Sequence, residues 1–594
     1  MIEFIPPAFI YMAGALLVPL LRGRVKSAWM LILPVISFLF LINAQVGTAW
    51  EINFLGFDLV PFKVDRLSLI FGYIFHLISL IGIIYTLSVK SDLEYVAGLV
   101  YAGSALGVVF SGDLFTFFVF WEMLTVSALW LIWARRTKAS QAAGFRYLMV
   151  HVFGGLVLLA GIIMYISEQK SISLGFIGLH SPATYLIFIG MGINAAWPLL
   201  HTWLTDAYPE STVGGAVFLS AFTTKTAVYA LARTFPGTEE LIWIGAVMTA
   251  FPIFFAVIEN DMRRVLSYSL INQVGFMMVG IGIGTQLSIN GAAAHAFAHI
   301  LYKSLLFMSM GAVMFRTGKI NATDLGGLYK SMPWTALFCT IGAASISAFP
   351  LTSGFVSKSM VLDAAAHGHM TIIWLTLLFA SAGVFHHSGI KIPFFAFFGH
   401  DAGHRVKEAP PSMLIAMGIA AFFCIFLGVY PKFLYSILPY PVDFVPYTAP
   451  HVLSQLQLLM FSALAFTLLL LSGIYPAEIR AINLDTDLVY RKGGHLFYRV
   501  MDKGLNAINR TAERILIGEF LVNLAKFVRE APAKLLAQIC QPFWETEEDK
   551  ADPKAASKKF MKRAQSGFYP ISIMGLFAAI YFGLLFLQYI ATLI

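Results

Sequence analysis

The stretch VFLSAFTTKTAVYALAR, from Val217 to Arg233, reads as a membrane-spanning helix with one charged residue, Lys225, at its centre. Apolar runs of about 20 residues can cross the roughly 30 Å of hydrocarbon in a bilayer, and such runs recur along the whole 594-residue chain. A lysine at mid-membrane costs about 2.5–3.5 kcal/mol on insertion scales. The stretch therefore predicts an all-α, polytopic membrane protein in which buried charge has a use.

The composition agrees with this fold class. Hydrophobic residues make up 58% of the chain and charged residues 12%, whereas soluble domains contain about 25% charged residues. No polar region is long enough for a soluble catalytic domain, so we expect no catalytic site of the chain's own. The three cysteines lie far apart, which predicts no metal and no cofactor. The net charge of +8 is accounted for by loops between spans and does not indicate nucleic-acid binding.

The apolar pattern predicts about sixteen spans, with the lipid bilayer as the surrounding medium. They lie at 5–21, 27–45, 67–89, 94–111, 113–134, 145–167, 184–205, 212–234, 240–258, 264–286, 291–315, 334–366, 371–398, 412–430, 454–474 and 569–592. Basic residues are concentrated in alternate loops, such as those that hold Arg135, Arg263 and Arg405. We call the membrane side of these loops the basic face. It should be cytoplasmic, which puts the N-terminus outside a cell (inner) membrane.

Two spans are interrupted near their middle. One reads INAAWPLLHTWLTDAYPE, around Pro198, and the other reads AASISAFPLTSGFVSKSMVLDAAA, around Pro350. Proline kinks without function are common in membrane helices. Broken helices at comparable places of two halves are instead typical of an ion path in a transporter, and this pair favours that interpretation.

Ionisable residues recur inside the predicted spans: Glu122, Lys225, His295, His299, Lys303 and Lys358. His295, His299 and Lys303 are spaced four apart, so they share one helix face. A lysine whose carboxylate partner moves can load and release a proton, and histidines exchange protons near neutral pH. The pattern therefore predicts a proton relay, and its lysines would repel metal cations.

Three further residues are candidate accessory groups: His151, His201 and Lys391. Lys391 follows His386 and His387 by one turn, but a lysine near a helix end can also extend to the membrane surface. His151 can equally be a packed, hydrogen-bonded residue of the helix interior. The sequence leaves both alternatives open.

The chain changes character after the fifteenth predicted span. Residues 485–545 mix charged and apolar residues and predict a long amphipathic helix along the membrane surface or on a partner, bent or broken at Gly493-Gly494 and at Pro532. Its apolar stripe comprises Leu505, Ile508, Ile515, Leu516 and Phe520. A polar linker and a final span should follow.

Several stretches together resemble the antiporter-like membrane subunits of respiratory complex I, membrane-bound hydrogenases and Mrp-type sodium/proton antiporters. They are GDLFTFFVFWEML, PLLHTWLTDAYPE, FTTKTAVYALAR, ENDMRRVLSYSLINQVGFM, HAFAHILYKSLLF and PLTSGFVSK. The resemblance implies about fourteen core helices that hold two inverted five-helix repeats with broken helices. The implied division is 1–93 for N-terminal helices, 94–234 and 240–398 for the two repeats (each a half-channel), 412–474 for flanking helices, 485–545 for the lateral helix and 569–594 for the final span.

The resemblance also implies roles for the buried charges. Glu122 would be the carboxylate of the first half-channel and Lys225 the connecting lysine. His295, His299 and Lys303 would continue the axis to Lys358, the terminal lysine beside the second broken helix. The chain departs from the family pattern at Ile193, followed by Asn194, where a lysine usually pairs with the glutamate.

The nearest subdivision is the Mrp D-type subunit, with a lateral helix like that of the distal subunit of complex I. Our first hypothesis is a proton-translocating subunit of a multi-subunit Mrp-type cation/proton antiporter, with sodium left open as the coupled ion. The second is a pump subunit of a redox complex of the complex I or hydrogenase kind. The third is a non-pumping scaffold that anchors a partner, for instance in inorganic-carbon uptake. In each, the lateral helix would contact other subunits.

Overall fold

The structure is a computed structural model, and it describes residues 5–476, 478–481, 483–540, 552–566, 578, 580–586 and 588–589. The chain forms two compact units, Met1–Asp487 and Leu488–Ile594. The first unit contains every candidate site residue predicted from the sequence. The predicted final span lies mostly outside the described residues.

The first unit is a helical bundle. Its helices are α1 Pro7–Leu17, α2 Gly23–Ile42, α3 Arg66–Thr86, α4 Asp92–Phe110, α5 Leu114–Trp133, α6 Lys138–Gln169, α7 Pro182–Asn194, α8 Thr202–Glu210, α9 Val213–Ala221, α10 Thr223–Thr234, α11 Glu239–Ile258, α12 Met262–Ile283, α13 Gln286–Thr317, α14 Pro333–Ile346, α15 Ser353–His367, α16 Thr371–Val384, α17 Lys391–Pro393, α18 Pro411–Val429, α19 Pro431–Ser436 and α20 Ala449–Leu471.

Among the described residues, 12 helical stretches are long and apolar enough to cross a membrane, with Val213–Thr234 and Thr371–Phe398 each counted as one, and three shorter apolar helices accompany them. The chain is therefore a multi-pass, all-α membrane protein, as predicted. Helices α6 and α13 begin earlier than predicted, at Lys138 and Gln286, and each is 32 residues long. Their first turns are too polar to register as apolar spans, but each helix starts at a threonine N-cap whose hydroxyl satisfies a free backbone amide.

One feature of the fold has no counterpart in the sequence prediction. Strands β1 Ala49–Phe54 and β2 Phe57–Lys63 form an antiparallel hairpin between α2 and α3. The turn uses Leu55 and Gly56, both with positive φ, which matches the twist of a two-residue hairpin. The hairpin is short and mostly exposed, so hydropathy alone does not reveal it.

Both predicted breaks are present and have matching backbone geometry. The first separates α7 from α8 and the second separates α14 from α15. Ala196 and Leu199 of the first break have positive φ, as do Ala348 and Leu351 of the second. Positive φ is uncommon for residues other than glycine, so the same unusual path occurs twice. The assignment of residues 94–234 and 240–398 as inverted repeats stays a prediction.

The stretch that contains Lys225 is interrupted, contrary to the single continuous helix predicted for 212–234. Helix α9 ends at Ala221 and α10 begins at Thr223, with Phe222 between them. No glycine or proline marks this point, so the sequence gives no warning of it. The interruption changes the backbone hydrogen bonding directly before Lys225.

The second unit contains a long helical stretch that starts at the unit boundary, with α21 Asp487–Val500, α22 Asn506–Glu513 and α23 Val522–Cys540 joined by π-helical turns. Gly493-Gly494 and Pro532, predicted to bend or break the helix, lie inside α21 and α23, so neither breaks it. The irregularities are instead the wider turns Met501–Leu505 and Arg514–Leu521. The predicted polar linker contains a helix, α24 Pro553–Ser566. Residues 541–545 lie outside the described residues.

Candidate functional site

Lys225 is fully buried near the start of α10. Its Nζ donates to the backbone oxygen of Ser220 at 2.5 Å and to Thr224 Oγ1 at 3.2 Å. The Ser220 carbonyl is available because the helix is interrupted at Phe222, which removes the ordinary partner of that oxygen. The break therefore supplies the oxygen that solvates the ammonium group inside the membrane.

Lys303 lies on α13 and is also fully buried. Its Nζ donates to Ser269 Oγ at 2.8 Å and to the Leu266 oxygen at 3.2 Å. The hydroxyl of the neighbouring Ser304 is 3.4 Å from the Ser220 hydroxyl. The backbone oxygen of Ser220 in turn accepts from Lys225 Nζ. The two lysines are thus connected through adjacent polar residues of α9 and α13.

His295 and His299 lie on the same buried face of α13. His295 contacts Ser357 Oγ at 3.3 Å through Nδ1 and Tyr302 at 3.4 Å through Nε2. Neither ring nitrogen of His299 has a hydrogen-bond partner among the described residues.

Lys358 is buried on α15, just after the second break. Its Nζ donates to the Ile346 oxygen at 3.0 Å and lies 5.1 Å from the centre of the Phe276 ring. Ile346 is the last residue of α14, so its carbonyl has no intrahelical partner. The second break therefore solvates Lys358 as the interruption at Phe222 solvates Lys225.

Glu122 is half-buried on α5, and its Oε1 has no hydrogen-bond partner among the described residues. A Cβ added at Gly155 would lie 2.1 Å from that oxygen, so the Glu122 carboxylate packs directly against Gly155. Ile193 is fully buried and packs beside the adjacent Gly154. Asn194 is buried too, with Nδ2 unpartnered in the described structure. Ile193, where the family pattern has a lysine, thus packs beside Gly154, the neighbour of the Gly155 that contacts Glu122.

The three accessory candidates have different environments. His151 stacks on Tyr147 with 3.9 Å between ring centres, and its Nδ1 contacts the Tyr147 oxygen at 3.0 Å, which favours the packed alternative. Lys391 is fully buried and pairs with Glu478 at 2.8 Å. His201 contacts Asp485 at 3.0 Å.

Comparison with known proteins connects this geometry to a family. A family profile described as "NADH:quinone oxidoreductase/Mrp antiporter, TM" matches residues 111–384, which include both breaks and all six residues of the predicted relay. Residues 111–384 are therefore similar to this family, and we call them the antiporter domain below, after the profile that they match.

Relatives of the antiporter domain extend the match. The chain is 30% identical over 492 residues to the A-type subunit of the Na(+)/H(+) antiporter of Alkalihalophilus pseudofirmus, covering 71% of this chain and 61% of that protein. It is 31% identical over 323 residues to the D-type subunit of the same organism's antiporter, covering 51% and 65%. The chain therefore spans about three-fifths of the length of these curated relatives. The fold resembles a chain in the structure of the Mrp complex from Dietzia sp. DQ12-45-1b, with a TM-score of 0.75, 22% identity, and coverage of 91% of this chain and 63% of that one.

Several polar residues beside the antiporter domain's lysines escaped the sequence analysis. Ser269 and Ser388 are buried on α12 and on the π-helical turn Phe385–Ile390, and no pattern distinguishes them from other membrane serines. Glu478 and Asp485 lie between α20 and α21, in a short polar segment that reads as a loop. The only sequence hint of polar surroundings near Ser388 is the group His386, His387 and Lys391, which lie within about one helical turn of one another.

Tyrosine hydroxyls also converge between Glu122 and Lys225. Tyr101 OH lies 2.5 Å from Thr223 Oγ1, and the hydroxyls of Tyr147 and Tyr208 approach Thr223 without a well-aligned hydrogen bond. All three tyrosines are fully buried and come from α4, α6 and α8. These buried hydroxyls therefore lie close to Thr223, two residues before Lys225.

Proposed function

We propose that the chain is a proton-translocating, antiporter-like subunit of a multi-subunit membrane complex. The observation that carries this proposal is the set of three fully buried lysines, Lys225, Lys303 and Lys358, each solvated by backbone carbonyls or hydroxyls instead of a carboxylate. An ammonium held this way can lose its proton without leaving a buried anion behind. A stable ion pair, by contrast, would favour the charged lysine.

The relay that we propose starts at Glu122 and ends at Lys358. Protons pass from Glu122 past the tyrosine cluster to Lys225, and then by Lys303, His299 and His295 to Lys358. His299 lies within electrostatic range of all three lysines, so loading one lysine disfavours loading the next. Such repulsion lets protons advance as a sequence of coupled steps.

We propose an Mrp-type cation/proton antiporter as the complex, because the relatives that match at 30% and 31% identity are named Na(+)/H(+) antiporter subunits. A redox-driven pump is the second candidate, since the family description also names NADH:quinone oxidoreductase. In that complex the redox chemistry would belong to partner subunits. We further propose an inner (cell) membrane location, with the basic face cytoplasmic, the N-terminus outside and the lateral helix as a contact for other subunits.

A non-pumping scaffold is the alternative that one observation favours: no cation pairs with Glu122 Oε1 among the described residues. Glu122→Gln separates the two possibilities. A working first half-channel predicts that this change lowers proton flux by about tenfold or more. Ordinary flux in the variant would mean that the first half-channel is idle.

The test of the main proposal is proton flux in vesicles that contain the whole complex. Lys225→Ala, Lys303→Ala and Lys358→Ala should each lower flux by at least about tenfold, while the exposed Lys432→Ala serves as the matched control. Assembly of each variant complex is checked by its subunit stoichiometry after purification. If all three buried-lysine variants assemble and keep the control's flux, the relay proposal is refuted.

A further inference from the structure

A chain of hydrogen-bonded side chains leads away from Lys303 toward the basic face. Lys303 Nζ donates to Ser269 Oγ at 2.8 Å, and Ser388 Oγ donates to the same Ser269 oxygen at 2.8 Å. His387 Nδ1 is 2.9 Å from Ser388 Oγ. These four residues come from α13, α12 and the turn Phe385–Ile390, and all are fully buried. The chain is therefore a built interior path and not a surface network.

The π-helical turn is what brings His387 and Ser388 inward. A π-helical turn inserts an extra residue and rotates the following side chains relative to an α-helix, and such turns often occur at functional sites. The turn also packs tightly, because a Cβ added at Gly389 would lie 2.3 Å from Ser347 Oγ, next to the second break. Gly389 thus permits the close approach that aligns Ser388 with Ser269.

The path continues past His387 to a buried ion pair. His387 Nε2 has no partner among the described residues, and His387 lies within electrostatic range of both Lys303 and Lys391. Lys391 Nζ pairs with Glu478 Oε1 at 2.8 Å, with 0% and 8% of the two side chains exposed. The same Nζ donates to the oxygens of Val257 and Glu259 at the end of α11.

Glu478 belongs to a segment that crosses the ends of several helices. We call the described residues of this segment, 472–476, 478–481 and 483–486, the strap. Besides Glu478, the strap contributes Arg480 to an ion pair with Asp324, and Asn483 to a hydrogen bond with Glu259. Asp485 accepts from Tyr268 at 2.8 Å and pairs with His201.

We infer that the Ser269–Ser388–His387 path is a proton branch of the lysine axis, and that the Lys391–Glu478 pair is its gate at the basic face. This inference rests on the proposed function. When Lys303 is a neutral amine, His387 gives its Nδ1 proton to Ser388, Ser388 gives its own to Ser269, and Ser269 gives its own to Lys303 Nζ. The net change is one proton from His387 Nδ1 to Lys303 Nζ, and His387 then takes up a proton at Nε2 from the side of Glu478.

The strap explains why the pair can act as a gate. Lys391 is fixed by carbonyls of α11 whether or not Glu478 is present, whereas Glu478 is carried only by the strap. A small displacement of the strap separates the carboxylate from Lys391 without unfolding a helix.

The first experiment tests the path by removing one hydroxyl. Ser388→Ala should lower proton flux in vesicles containing the full complex by about tenfold or more, and Ser388→Thr, which keeps the hydroxyl, should restore much of it. Ser381→Ala is the matched control, because Ser381 is an equally buried serine on α16 outside the path. Its flux should stay within about twofold of the unaltered complex.

The second experiment tests the gate. Glu478→Gln should lower flux by at least about fivefold, whereas Asp485→Asn should leave it within about twofold, because an amide oxygen still accepts from Tyr268 and keeps the strap in place. If the complex with Ser388→Ala does not assemble, Ser388→Cys takes its place, because cysteine is close to serine in volume. Its proton flux should also fall by about tenfold or more.

The outcomes separate this inference from the proposed function. Loss of flux in Lys303→Ala together with ordinary flux in Ser388→Ala and Glu478→Gln would overturn the branch and leave the lysine relay standing. Ordinary flux in Lys303→Ala as well would overturn the proposed function. Equal losses in Ser381→Ala and Ser388→Ala would also overturn the branch, because the effect would then be one of packing.

Discussion

Gly354 lies at the tightest backbone approach of the second broken helix, and replacing it with alanine should open the break. A Cβ added at Gly354 would lie 1.8 Å from the Ser345 backbone oxygen. Ordinary contact between such atoms begins at roughly 3.4 Å, so the two backbone segments must separate by more than an ångström. No side-chain rotation relieves this clash, because the oxygen belongs to the main chain.

The magnitude follows from the kind of contact involved. Overpacking in a well-packed interior costs about 1–3 kcal/mol, and a backbone clash that cannot be relieved by a rotamer change belongs at the upper end. Separation of the segments also displaces Ile346, whose carbonyl accepts from Lys358 at 3.0 Å. We therefore expect a loss of about 3 kcal/mol in stability together with a loss of the Lys358 contact.

The assay is thermal unfolding of the purified complex in detergent, combined with proton flux in vesicles. Gly354→Ala should lower the midpoint by a few degrees and lower flux toward the level of Lys358→Ala. Gly418→Ala on α18 is the control, because the nearest atom to its added Cβ is a Phe338 side-chain carbon at 3.5 Å. The reasoning is refuted if the two alanine variants unfold at the same temperature and carry the same flux.

Three further predictions concern single groups. Lys225→Met should abolish most flux and lower the unfolding temperature, because the Ser220 carbonyl that bonds Lys225 Nζ is left unpaired inside the membrane; an unchanged or raised unfolding temperature would contradict this. Burial raises the pKa of Asp485, but the hydrogen bond and charge of His201 outweigh it and hold that pKa below its usual value of 3.8. A carboxylate with a lowered pKa stabilises the fold above its ordinary pKa and loses that contribution as pH falls through the lowered value. On acidification, the unfolding temperature should therefore fall more steeply in the unaltered chain than in Asp485→Asn. Parallel curves of unfolding temperature against pH for the two proteins would refute this role. Tyr101→Phe removes the hydroxyl that pairs with Thr223 and should lower flux by about tenfold if the tyrosine cluster feeds Lys225; flux equal to that of a Tyr73→Phe control, on the half-buried face of α3, would exclude the cluster from the path.

Much of the fold could be predicted because hydropathy and proline punctuation are local properties. Runs of apolar residues identified the spans, and proline beside small residues identified both breaks. The interruption at Phe222 could not be predicted in this way, because no glycine or proline causes it. It is stabilised by a lysine amine that bonds the Ser220 carbonyl, and that contact exists only after the helix has been interrupted.

The residues of the candidate site also fall into those that a local sequence pattern identifies and those that only distant contacts identify. Charged residues inside apolar runs stand out, so Glu122, Lys225, Lys303 and Lys358 could be identified one at a time. Serines and tyrosines are ordinary components of membrane helices, so Ser269, Ser388 and Tyr101 could not. Their roles depend on neighbours that are far away in the chain, such as Tyr101 and Thr223 from α4 and α10.

The sequence by itself therefore determined that this protein crosses the membrane many times and keeps lysines and histidines inside it, because the free energy of moving a residue from water into hydrocarbon depends on that residue and its immediate neighbours. Only the tertiary structure decided what each buried charge contacts. Lys391 illustrates the difference: its sequence position did not show which group it contacts, and in the structure its partner is Glu478, 87 positions later in the chain. Such a pairing depends on how distant segments pack, and no local pattern encodes it.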